Sequence, residues 1–157
     1  TLYNQNKVFD EKFRAYTKIT TALNNMMNVV VGNLYEGQEI LKDKKGNWQE
    51  DMDELADETD DAINALNDAF TVNSLLLPLE VLTKYEDFAT FLEGEPNDDL
   101  FENSGKLDEM VDKLNDRFDE IINIMRSDLD SDKLNQSLRK RIRGTWVHKI
   151  LTLNDSI

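Results

Sequence analysis

Residues 9–34 read FDEKFRAYTKITTALNNMMNVVVGNL, and this stretch decides the fold class. Phe9, Phe13, Tyr16, Thr20, Leu23, Met27, Val30 and Leu34 follow alternating steps of four and three, the spacing that brings side chains to one face of an α-helix. Val8, Ile19, Met26 and Val31 flank this seam and widen it, which suits a helix with several neighbours better than a strict two-stranded coil. The pattern predicts a helix from about Tyr3 to Leu41. Gly32 and Gly37 each cost about 1 kcal/mol relative to alanine in a helix interior, and they predict a bend or an end near them.

The same period recurs downstream. Lys42 to Asn47 reads as a loop, with Asn47 and Glu50 as an N-cap and capping-box pair for a second helix. That helix carries Met52, Leu55, Ala62, Ile63, Leu66, Ala69 and Phe70 on one stripe and acids on the other face. Asn73 and Ser74 break the pattern, and Pro78 suits the start of a third helix bearing Val81, Leu82, Tyr85, Phe88 and Leu92. Residues 94–103 read as a loop. A fourth helix, capped by Ser104, carries Leu107, Val111, Leu114, Phe118, Ile121, Ile122 and Met125. A fifth is predicted from Lys133 to Leu151, with Asp128, Asp130 and Asp132 capping its start.

With 157 residues, 2 prolines and 6 glycines, the chain predicts an all-α fold: one domain over 1–157, built as a four-helix bundle over about 3–129 with an additional C-terminal helix over about 133–151. There is no cysteine, so disulfides and thiolate chemistry are excluded. Helices two to four, about 15–23 residues each, are too short to cover a straight first helix of roughly 60 Å. Either helix one bends, or helix five or a second chain covers its end, and the last of these makes a homodimer an expectation.

Charge is unevenly placed. Residues 36–132 carry 29 acids and 8 bases, a balance of −21, whereas residues 1–35 balance at +2 and residues 133–157 at +5. So acidic a body repels phosphate backbones, and nucleic acid is not an expected partner. Arg139, Lys140, Arg141 and Arg143 form one basic cluster, which either meets an anionic partner or lies against the acidic body.

Two acidic signatures, Glu36-x-x-Glu39 and Glu54-x-x-Asp57, stand 14 residues apart. This resembles the pattern of all-α nucleoside triphosphate pyrophosphohydrolases, and the resemblance implies a magnesium site on Glu36, Glu39, Glu54 and Asp57. The helical wheel points the other way, because Glu54 and Asp57 lie opposite the apolar stripe, towards solvent. Asp128-x-Asp130-x-Asp132 imitates the start of a calcium loop, but Lys133 and Arg139 stand where that loop needs glycine and glutamate. His148 is the sole histidine and has no partner motif for acid–base chemistry, and Met26 and Met27 read as core filling.

Residues 9–16, the segment from Phe70 to Leu82 with its Pro78, and Ile124-Met125-Arg126-Ser127-Asp128-Leu129 together resemble a family of small, uncharacterised bacterial helical-bundle proteins. Such proteins often carry a membrane helix before the bundle, and a chain beginning at Thr1 agrees with that. The resemblance implies a bacterial source and a cytoplasmic or membrane-associated place, and it carries no catalytic residues or cofactor. The expected function is a non-enzymatic helical interaction or structural module that binds a protein partner or itself. One version of it is the soluble part of a membrane-anchored protein. The alternatives are the magnesium-dependent pyrophosphohydrolase and an extracytoplasmic ligand-sensing bundle, which predicts a pocket between helices with a few converging polar groups.

Overall fold

In the computed structural model, residues 7–94 and 100–133 are described in full, and residues 2–6, 98–99 and 134–155 by their helical backbone alone. The described residues form an all-α fold: α1 (Leu2–Asp43), α2 (Trp48–Val72), a 3₁₀ turn (Ser74–Leu76), α3 (Leu79–Glu93), α4 (Asp98–Glu102) and α5 (Ser104–Asp155).

The first helix runs without interruption for 42 residues, through both of its glycines. A Cβ on Gly32 would meet nothing within 4 Å, so this glycine fills no packing need. Gly32→Ala should therefore stabilise the protein by about 0.5–1 kcal/mol in chemical denaturation. Gly37 differs, because a Cβ there would touch Phe101 Cε1 at 3.4 Å and Met52 Cε at 3.5 Å. Those are ordinary van der Waals distances, so α4 and the start of α2 lie close against α1 here without requiring a glycine. α1 ends where Lys44 (φ 43°) and Gly46 (φ 57°) turn left-handed.

Helix α2 begins after Asn47 as expected, but the capping box does not form. Asn47 has φ −86° and ψ 44°, away from the extended backbone of a working N-cap, and its side chain makes no cap bond. The last turn closes through Asn73, whose Nδ2 donates to Ala69 O at 2.7 Å. Leu77 is extended (φ −99°, ψ 136°), the conformation a residue before proline prefers, and Pro78 itself is the N-cap of α3. Within the expected loop at 94–103, residues 98–102 form the single-turn α4. The cap of α5 is Asn103 rather than Ser104, with the Gly105 amide donating to Asn103 Oδ1 at 2.9 Å.

The largest departure is at the C-terminal end. Residues 104–155 form one helix of 52 residues, not two helices parted near 130. Asp128, Asp130 and Asp132 therefore cap nothing. Asp128 and Asp132 are one turn apart on the face that meets α1, where Lys12 Nζ pairs with Asp128 Oδ2 at 2.9 Å and Asp132 Oδ2 at 2.7 Å. The Tyr16 hydroxyl donates to Asp128 Oδ2 at 2.6 Å. Near the far end, Tyr35 donates to Asp108 at 2.7 Å. These crossings run α1 and α5 antiparallel along most of α1, so α5 provides cover that α2 and α3 are too short to give.

The core fills the section where all four long helices overlap. Ile19, Leu23 and Met26 of α1 meet Leu66 and Phe70 of α2, Val81 and Phe88 of α3, and Leu114 and Ile121 of α5, all 2% exposed or less. The Phe70 and Tyr85 rings stack with centroids 3.7 Å apart, and the Tyr85 hydroxyl donates to Asn67. Asn33 of α1 contacts α2 at Leu55 and Thr59, which sets the end of α2 beside about residue 18 of α1 at 1.5 Å per residue. Beyond that level the α1 seam loses α2 and α3 and keeps α5 beside it. Phe13, a seam position, is 54% exposed and Val8 is 52% exposed.

Candidate functional site

Glu36 and Glu39 on α1 and Glu54 and Asp57 on α2 are all exposed. Among the described residues, no three acid, histidine or cysteine side chains gather at metal-binding spacing. The basic cluster Arg139–Arg143, Trp146 and His148 have side chains outside the described residues. No helix among the described residues is long and apolar enough to cross a membrane.

Two other features stand out. The first is an apolar ledge at the level where α2 and α3 stop. The α2–α3 connection exposes Val72 (81%), Leu75 (100%) and Leu79 (79%), three large apolar side chains within eight residues. At a similar height along α1, Phe13 borders a groove of about 320 Å³ between α1 and α5, floored by Ile122, Met125 and Leu129. Isolated exposed leucines are ordinary, whereas a run of them at one turn marks a contact surface. The chain turns here because Leu77 alone of the leucine run is buried and anchors the connection in the core, which leaves Leu75 on the outside.

The second feature is a cavity of about 350 Å³ between α1, α2, α3 and α4. Its walls are apolar: Val30, Leu34, Met52, Ile63, Leu92 and Phe101. Three polar residues, Asn33 of α1 and Thr59 and Asp60 of α2, are among its lining. Asn33 Nδ2 donates to Leu55 O at 3.1 Å and to Thr59 Oγ1 at 3.1 Å, with Glu58 Oε2 at 3.4 Å. Leu55 O and the Glu58 carboxylate only accept, which fixes the orientation of the amide and leaves Asn33 Oδ1, an acceptor, as its remaining polar atom.

Lys12 and Tyr16 in the clamp between α1 and α5, and Tyr85 in the core, have raised pKa values. Burial tends to lower the Lys12 pKa, but the hydrogen bonds and charges of Asp132 and Asp128 outweigh it and raise the pKa above 10.5. Burial, with the Asp128 bond behind it, raises the Tyr16 hydroxyl well above its ordinary 10.0. Tyr85 is pushed up to about 12 by burial, then by Asp68 and Glu93. All three hold their protons more tightly folded than unfolded. Their stabilisation is thus complete below about pH 10 and is lost as pH rises through the folded values. Unfolding midpoints should fall from about pH 10 upward, and Tyr16→Phe should make the fall shallower; equal slopes in the two proteins would count against the clamp.

No family model, curated protein or solved structure matches the chain. Function therefore has to be argued from the ledge, the cavity and the charge distribution. Sequence periodicity pointed to neither the ledge nor the cavity. The available signals were a leucine run in a turn and an asparagine, Asn33, between two apolar seam residues.

Proposed function

We propose that the protein is a non-enzymatic helical interaction module that pairs with a second copy of itself. The observation that carries this reading is the exposed apolar ledge, with Leu75 fully exposed and the α1 seam continuing past the ends of α2 and α3. Charge complementarity favours a second copy in antiparallel orientation. That arrangement sets the terminal segments, at +2 and +5, near the partner's central stretch at −21. A two-fold pairing of this kind uses the same patch on both copies and closes on itself. It also suits the soluble part of a membrane-anchored protein, as the likeness to bacterial helical-bundle proteins implies.

Light scattering at micromolar concentration should give a dimer mass for the native chain and a monomer mass for a Leu75→Asp, Leu79→Asp variant. Both side chains are exposed, so the variant should keep its helical signal. A monomeric native chain would overturn the pairing. The cavity beside Asn33 favours a second reading, an extracytoplasmic ligand-sensing bundle, since apolar walls with a few converging polar groups are what a small-molecule site needs.

A further inference from the structure

We infer that the cavity beside Asn33 binds an amphipathic organic cation, a small apolar body carrying a primary or substituted ammonium group. The inference rests on the ligand-binding reading and is independent of the pairing. The walls supplied by Val30, Leu34, Ile63 and Phe101 suit an alkyl or aryl body. The head group is selected by the polar side. Asn33 spends its Nδ2 on Leu55 O and Thr59 Oγ1, so the amide presents its carbonyl oxygen. Asp60, a solvent-exposed acid, is among the lining residues, and no lysine or arginine lines the cavity among the described residues.

Every fixed polar group there is an acceptor, and the Thr59 hydroxyl adapts either way. A donor-rich ammonium satisfies this set. A carboxylate would face Asp60 with no base to offset it, and a neutral alcohol would forgo the charge-assisted bond. The acidic central stretch adds a long-range field that draws cations and repels anions.

The test is calorimetric titration of the full chain with n-heptylammonium, n-heptanol and n-heptanoate, which share one chain length and differ at the head. The ammonium should bind at least about tenfold more tightly than the alcohol, one charge-assisted bond's difference, with the carboxylate weakest. Asp60→Asn, at an exposed position, should remove that preference while leaving the melting temperature near native. Ala56→Trp, at the rim, should weaken all binding. Equal binding of the three probes, lost in Ala56→Trp, would keep the cavity as a ligand site and overturn the cation inference. No binding of any probe would overturn both.

Discussion

Replacing Leu66 or Ile121 by alanine should destabilise the protein by about 2–5 kcal/mol each. Leu66 on α2 is 0% exposed and Ile121 on α5 is 1% exposed, and both sit in the section where α1, α2, α3 and α5 overlap. Truncation removes the transfer free energy of the lost carbons and leaves a cavity that four packed helices close only in part. For a chain of this size the melting midpoint should drop by roughly 5–15 °C. Circular dichroism melts would show it, and a loss below about half a kcal/mol would mean that the stripe had been placed on the wrong face. The same truncation at Leu75, which packs on nothing, should change stability by less than about half a kcal/mol.

Asp128→Ala should be the most costly change among the charged residues, about 1–3 kcal/mol. It removes the acceptor shared by the Lys12 ammonium and the Tyr16 hydroxyl and leaves Tyr16, which is 3% exposed, with an unpaired phenol. The Lys12 side chain is 13% exposed and Asp128 17%, so water screens part of the charge pairing and the effect stays below that of a fully buried ion pair. Asp130→Ala, about half a turn round α5 from Asp128 and exposed, should be nearly neutral. A double-mutant cycle on Lys12 and Asp128 should show coupling above about 0.5 kcal/mol. Zero coupling would mean that α5 does not cross α1 at this point.

The pattern of apolar residues was a good guide wherever burial followed from local helix geometry. The predicted stripes of α2 and α3 place Ala62, Leu66, Phe70, Val81 and Phe88 in the core, and all five are buried there. The loop before Asn47 and the boundary at Pro78 were legible because loop composition and proline act on the backbone locally. The same reasoning failed at 128–132. A run of aspartates with a serine reads as a cap when only local competition for backbone amides is considered. Here Lys12 and Tyr16, more than a hundred residues away in sequence, engage Asp128, and the helix continues. Phe13 failed for a related reason, since the seam reads as core but its burial depends on how far α2 and α3 reach.

The candidate sites were less legible than the fold. The acidic signatures are spacings on a chain with 32 acids, and the structure leaves all four side chains exposed. The ledge and the cavity depend on where helices of unequal length end relative to one another. Their terminal positions come from crossings such as Asn33 to Leu55 and Tyr35 to Asp108.

By itself the sequence determined the helical class, the buried faces of α2, α3 and the described first half of α5, and the strong separation of charge along the chain. These follow from periodicity and composition, which act over a few residues at a time. Only the tertiary structure decided that residues 104–155 are one helix, that Leu75 is exposed while Leu77 is buried, and that Asn33 turns its amide onto α2 beside a cavity. Each of those outcomes is set by contacts between segments distant in sequence, and helix periodicity carries no information about which segments meet.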